Sequence, residues 1–352
     1  MALLNLPKYI KNVKIHHCKK GMSLMAYENY EMDLISSFGY EVEQGIINPN
    51  NTDIQGNNAR NKYNKYISSI ISLNPKEYLT TDFEELGRTR VFEKAFEIII
   101  YIFGNKVIPE ALEYFKHLVP SGAKEPLNSI CLTKTDTLTG DTTTIVEIPD
   151  FKTSSNIVTI VLEFSHYYLN KVGVDFNKKR YYEEIIAILC EKIASQIVEL
   201  HTCQIDFYDK MTEHRLETIS WHYSKNLQEM NSLLEEYAKL EKRAKTDLFD
   251  RMRLQQFQTQ MPIIRTAKGI SALRGYYQNM ADGFGIGFLY SESLLERFLD
   301  DNFAFQAQLD KLINHEQSLQ DLLNYYGINA RSNEVYDIAN KRIEEIKTFK
   351  KR

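Results

Sequence analysis

Residues 157–166, with the sequence IVTIVLEFSH, constrain the fold of this chain more than any other stretch. The run is apolar on nearly every side of the helix that it would form, which is the pattern of a buried helix. It nevertheless contains a glutamate, Glu163, and a histidine, His166. A buried charge is costly unless it is paired or hydrogen-bonded. The chain is therefore expected to supply polar partners for both side chains.

Glu163 and His166 also occupy two positions of a zinc-binding pattern. In the motif H-E-x-x-H, histidines at i and i+4 lie on one helical face and bind a single metal ion, and the glutamate is the general base. Here Leu162 stands at the first position. Glu163 would be the base and His166 the second ligand, and the first ligand is missing. The alternative is that a buried glutamate and histidine simply satisfy each other at i and i+3.

Composition narrows the class of protein. The 352 residues allow one large domain or two, and 43% of them are hydrophobic, as in an ordinary globular protein. A formal net charge of −4 provides no basic field for nucleic acid or for an anionic membrane. The cysteines lack the paired spacing of a zinc ribbon, and residues 1–11 lack the charge order of a secretory signal. We therefore expect a cytoplasmic protein with no nucleic-acid or membrane partner.

Helical periodicity covers most of the chain, beginning with a predicted helix at Ser23–Phe38. The exception is a pair of stretches, 130–134 and 142–148, that are rich in β-branched residues and flank a turn signal at 139–141. The sequence therefore predicts a mainly α protein with one small β-sheet beside a central helix, 157–169.

Two further helices are expected near the central one. The first runs from about Arg180 to Phe207 and carries Glu184 and Glu191, which are seven residues apart and so lie on nearly one side of the helix. The second covers Phe288 to Leu299, after a glycine-rich segment at 283–287.

These segments together resemble the oligoendopeptidase F and thimet oligopeptidase family of zinc metallopeptidases. Residues 148–166 are similar to the family's strand, loop and zinc helix, and residues 187–195 to the helix with the third ligand. Residues 287–292 are similar to the segment with substrate-binding tyrosines, and 322–347 to the closing pair of helices. The resemblance implies an α-helical zincin-like metallopeptidase catalytic domain at 80–352, preceded by a shortened N-terminal helical region at 1–79.

The resemblance also implies roles for individual residues. Glu163 would be catalytic, His166 and Glu191 would bind zinc, and Phe288 and Tyr290 would bind substrate. If the ligand set is rearranged, Glu184 is the first substitute for the missing ligand.

Several departures weaken the implied chemistry. Leu162 replaces the first zinc ligand, and Gly285 and Phe288 stand where the family has tyrosine hydroxyls that stabilise the oxyanion. The family also has a histidine a little upstream, and in this chain positions 276–278 hold only tyrosine or glutamine. Zinc is therefore expected to be held weakly or not at all.

Three functions remain open. The chain could be a pseudopeptidase that binds a peptide or protein through the former catalytic cleft. It could be an active metallopeptidase that hydrolyses oligopeptides with a rearranged ligand set. It could also be a helical structural or interaction protein whose cleft is vestigial.

One substitution follows from the motif alone. Replacing Leu162 with His restores the i, i+4 pair, and Glu191 would complete the three ligands that catalytic zinc requires. The sequence therefore predicts that Leu162→His gains zinc affinity, which metal analysis of the purified variant would measure.

Overall fold

The structure is a computed structural model, and it describes residues 54–73, 83–121, 130–135, 142–149, 151–172, 176–202, 204–260, 270–314, 319–328 and 333–349. The predicted helix Ser23–Phe38 lies outside these residues. Of the predicted N-terminal region 1–79, only residues 54–73 are described.

Helices make up most of the described residues, so the prediction of a mainly helical protein is confirmed. None of the described helices is long and apolar enough to cross a membrane. The helices are α1 (Ile54–Ile71), α2 (Arg88–Phe103), α3 (Ile108–Lys116), α4 (Ser154–Lys171), α5 (Phe176–Thr202), α6 (Phe207–Trp221), α7 (Leu227–Arg243), α8 (Leu248–Gln260), α9 (Ile270–Asp300), α10 (Asn302–Ile313), α11 (Leu319–Tyr325) and α12 (Asn333–Phe349).

The described residues between α3 and α4 include three short strands, β1 (Leu118–Ser121), β2 (Ile130–Thr135) and β3 (Thr142–Pro149). The strand β3 lies in the middle, antiparallel to β2 and parallel to β1. Val146 of β3 is opposite Leu118 on one side and Cys131 on the other. The chain leaves β3 and enters α4 after a short turn, so the sheet fixes where the central helix begins.

The helix α4 lies in the core, as its apolar sequence requires. Its fully buried apolar residues are Ile157, Val158, Ile160, Val161 and Phe164. The ring of Phe164 meets the ring of Phe103 edge-on at 5.5 Å and stacks on Tyr168 at 5.7 Å. In the first turn of the helix, the Asn156 side chain accepts hydrogen bonds from the backbone N–H groups of Lys152 and Thr153, each at 2.9 Å. This local bonding holds the turn from which α4 starts.

The helix predicted from about Arg180 to Phe207 was placed too far along the chain. The helix α5 ends at Thr202 rather than at Phe207, and Phe207 begins α6. Between them, Asp206 adopts a left-handed backbone conformation with φ of 64°. Few residue types other than glycine tolerate that conformation, and aspartate is among them. The break separates the two helices, and α6 packs against α5.

The glycine-rich segment does not precede a helix, as the sequence predicted, but lies inside one. The helix α9 begins at Ile270 and passes through Gly283, Gly285 and Gly287. A Cβ atom at Gly287 would lie 2.6 Å from Ile188 Cδ1 and 3.0 Å from the carbonyl oxygen of Glu184. Glycine is used here because the backbones of α5 and α9 approach too closely for a side chain.

We expect Gly287→Ala to lower the free energy of unfolding by about 1–3 kcal/mol, the usual cost of overpacking a core. Gly283→Ala is the matched control, because its Cβ would meet only Glu184 Cγ, at 3.4 Å. Alanine is the better helix former by about 1 kcal/mol, so the control should be neutral or stabilising. Urea unfolding measures both, and equal stability of the two variants would contradict the close approach of α5 and α9.

Candidate functional site

The helices α4, α5 and α6 bring together the charged residues that the sequence singled out. Glu163 lies on α4, Glu184 and Glu191 lie on α5, and all three are at least 92% buried, with exposed fractions of 5%, 8% and 5%. The cation among them is Arg215 of α6, which the sequence analysis did not identify. We refer to Glu163, Glu184, Glu191 and Arg215 as the Arg215 cluster.

Arg215 binds Glu191 through two parallel hydrogen bonds. Its Nε donates to Oε2 at 2.7 Å, and its Nη2 donates to Oε1 at 2.9 Å. The two side chains are only 11% and 6% exposed. Burial lowers the pKa of Arg215, but the charge and hydrogen bonds of Glu191, followed by the charges of Glu184 and Glu163, raise it above its ordinary value. The guanidinium is therefore a permanent cation that interacts with all three carboxylates.

His166 pairs with Glu183, a residue that the sequence analysis also missed. The imidazole Nδ1 and Glu183 Oε1 are 2.5 Å apart, and the two side chains are 16% and 14% exposed. Burial lowers the pKa of His166, but the negative charge of Glu183 and its hydrogen bond, with smaller contributions from Glu184 and Glu163, raise that pKa to about 10. His166 is thus an imidazolium at neutral pH and donates its Nδ1 proton to Glu183.

Aromatic rings cover the other side of Arg215. The guanidinium carbon lies 5.7 Å from the centre of the Phe284 ring, and the His222 ring lies 5.0 Å from the same ring. Burial and the positive charge of Arg215 lower the pKa of His222 to about 4 and that of His214 to about 3. Both imidazoles are therefore neutral at physiological pH. Trp221, which is 41% exposed, contacts His222 edge-on at 4.9 Å.

This arrangement does not fit a catalytic zinc ion. Such an ion takes three protein ligands, each in its deprotonated form. Leu162 has no donor atom, and both oxygens of Glu191 already accept hydrogen bonds from Arg215. Within the part of the chain that the structure describes, no group of three or more His, Cys, Asp or Glu side chains is arranged to hold a metal ion.

The predicted substrate-binding residues lie in the core. Phe288 is fully buried, and Tyr290 is 6% exposed. The Lys192 ammonium lies 3.7 Å from the centre of the Phe288 ring and forms an ion pair with Glu292. Burial lowers the pKa of Lys192 to about 8, although the charge of Glu292 opposes this. In this conformation Phe288 has no surface on which a peptide could bind.

Two tyrosine hydroxyls lie beside Gly285, a position at which the family has a tyrosine and this chain has none. A Cβ atom at Gly285 would be 2.6 Å from the Tyr63 hydroxyl and 3.2 Å from that of Tyr223. These hydroxyls share a hydrogen bond of 2.7 Å, and Tyr223 donates to Asp282. Tyr223 belongs to a π-helical segment, His222–Asn226, that follows α6. The upstream residues 276–278 lie on α9, and their side chains are outside the described part of the structure.

Comparisons with protein-family models, with curated proteins and with solved structures find no match to this chain. The family resemblance therefore depends on the sequence segments quoted above.

The two neutral histidines predict acid sensitivity. Their folded pKa values lie below the ordinary 6.5, so the unfolded chain binds protons that the folded protein does not. The free energy of unfolding should therefore fall as the pH drops from 6.5 towards 4, by up to about 1.4 kcal/mol per pH unit for each histidine. Urea unfolding at several pH values measures this slope.

His214→Gln and His222→Gln should each reduce that slope. His201→Gln is the control, because His201 is exposed on the last turn of α5. A slope that is the same in all three variants would contradict the assignment. His166 should not contribute to this slope. Its folded pKa is about 10, so below pH 6.5 it is protonated in both the folded and the unfolded chain, and its stabilising contribution is lost as the pH rises towards 10.

Proposed function

We propose that this chain is a degenerate, zincin-like peptidase relative that binds a peptide or protein partner without hydrolysing it. The observation that carries the proposal is the double hydrogen bond from Arg215 to Glu191, which occupies the carboxylate that would be the third metal ligand. Without a bound metal, Glu163 has no metal-bound water to activate. A cytoplasmic location accompanies the proposal, because Cys190 is a buried free thiol and free thiols are usual in a reducing compartment.

The candidate binding surface surrounds the Arg215 cluster. Leu162 and His166 are half-buried on α4, and His222 and Phe284 are half-buried on the other side of Arg215. Trp221 extends this surface into solvent. Aromatic side chains with partial exposure next to buried charges supply the apolar anchors and the polar groups that protein-binding surfaces combine.

An interaction through helices far from the site is the second candidate. Three large apolar side chains on α8, Leu248, Phe249 and Met252, are 71%, 71% and 64% exposed. Contiguous exposed apolar groups of this kind are typical of surfaces that bind other proteins. Under this alternative, α8 is the functional surface and the cleft is vestigial.

A peptide assay separates these functions. The probe is a mixture of random nonapeptides, used with a quenched fluorophore for cleavage and without a label for binding. Trp221 is the only tryptophan in the chain, so its intrinsic fluorescence reports binding at the proposed surface. We expect no cleavage, with or without added zinc, and a saturable change in tryptophan fluorescence.

Phe284→Ala should weaken that binding by about tenfold or more, as truncation of a buried aromatic anchor commonly does. Phe249→Ala on α8 is the matched control and should leave binding unchanged. The opposite pattern would favour the α8 surface. Cleavage that a chelator abolishes would instead show an active metallopeptidase and would reject the proposal.

A further inference from the structure

The carboxylates around Arg215 are those that the sequence assigned to metal chemistry. Glu191 is the predicted third ligand, Glu163 the predicted base, and Glu184 the substitute ligand. In the structure these same three side chains raise the pKa of Arg215, in the order Glu191, Glu184, Glu163. The guanidinium is bonded to both oxygens of Glu191, the carboxylate at the position of the predicted third ligand.

A guanidinium differs from a metal ion in two ways that matter here. It has a single positive charge that proteins do not remove by deprotonation, and its planar donors match both oxygens of a carboxylate. It also holds carboxylate oxygens farther away, at 2.7 Å and 2.9 Å from its nitrogens for Glu191, whereas zinc binds such oxygens at about 2.0–2.2 Å. Both oxygens of Glu191 therefore bind the guanidinium in the geometry that suits arginine.

We propose that Arg215 is an internal replacement for the metal ion, which supplies positive charge to Glu163, Glu184 and Glu191 and prevents a divalent cation from binding among them. The inference rests on the zincin-like ancestry of the proposed function and on the contacts of Arg215, and it does not depend on whether the protein binds peptides. It assigns to this chain two separate obstacles to zinc. Leu162 removes a ligand, and Arg215 occupies the site.

This inference changes what Leu162→His should do. The substitution supplies the missing imidazole, but Glu191 remains bonded to Arg215 through both oxygens. Zinc would have to displace a cation that cannot lose its charge. The single substitution is therefore expected to be insufficient, contrary to the expectation from the motif alone.

The test compares the zinc affinity of four proteins by isothermal titration calorimetry. These are the unmodified chain, Leu162→His, the double variant Leu162→His with Arg215→Met, and a control double variant, Leu162→His with Arg342→Met. Arg342 is the matched control because its side chain is similarly little exposed, at 13%, but it pairs with a different carboxylate, Asp209, at 2.6 Å.

We expect the Arg215→Met double variant to bind zinc at least about tenfold more tightly than Leu162→His, because the substitution frees both oxygens of Glu191 and removes a positive charge that repels zinc. Equimolar zinc should raise the melting temperature of that double variant only. Equal zinc affinity of Leu162→His and the Arg215→Met double variant would overturn the inference. An equal gain in the Arg342→Met control would overturn it too.

A folding defect is informative as well. If the Arg215→Met double variant is unfolded without metal, zinc added during refolding should restore its helical circular dichroism. Leu162→His with Arg215→Lys keeps the positive charge but cannot bond both oxygens of Glu191 in the planar arrangement, so its zinc affinity should be intermediate. The inference would be rejected if zinc failed to restore the helical circular dichroism of the Arg215→Met double variant and the Arg215→Lys double variant bound zinc no more tightly than Leu162→His. Peptide binding by the unmodified chain is measured separately and would not change with that result.

Discussion

The ion pair between Arg215 and Glu191 is the interaction on which the arrangement of the central helices depends. A carboxylate and a guanidinium that are both nearly fully buried must find each other, because removal of one leaves the other as an unpaired charge in the interior. This requirement holds α6 against α5 at one relative position. The carboxylates of Glu163 and Glu184 are stabilised by the same cation, so α4 is included in the same constraint.

Two further ion pairs join other helices, one of them buried and the other with its carboxylate 32% exposed. Lys192 of α5 pairs with Glu292 of α9, and Arg342 of α12 pairs with Asp209 of α6. Arg342 also lies over the ring of Tyr208, 4.4 Å from its centre. Such pairs contribute little net stability compared with apolar side chains of the same size, but they penalise any packing that separates the partners. In this protein they specify which helix faces meet.

The sequence could predict the helical character and the interior position of Glu163, because a continuous apolar run has few other solutions. It could not predict Arg215. A helix drawn without interruption through Asp206 would carry Arg215 away from Glu191, whereas α5 ends at Thr202 and Asp206 adopts a left-handed conformation directly before α6. Aspartate is so common at helix ends and on helix surfaces that its identity alone does not indicate such a break. Glu183 was missed for a related reason, because adjacent glutamates on a long helix have no local signal that distinguishes the one facing His166.

The backbone contact at Gly287 bears on how a partner could bind. Because α5 and α9 touch main chain to main chain there, and are joined a short distance farther along by Lys192 and Glu292, they cannot slide past each other or separate without exposing a buried charge. Proteins that enclose a ligand by hinge closure need two bodies that part easily. Here α9, the helix that carries Phe284, is held rigidly against α5. A partner bound at the proposed surface would therefore be recognised by the fit of preformed surfaces, with adjustment confined to the side chains at the rim.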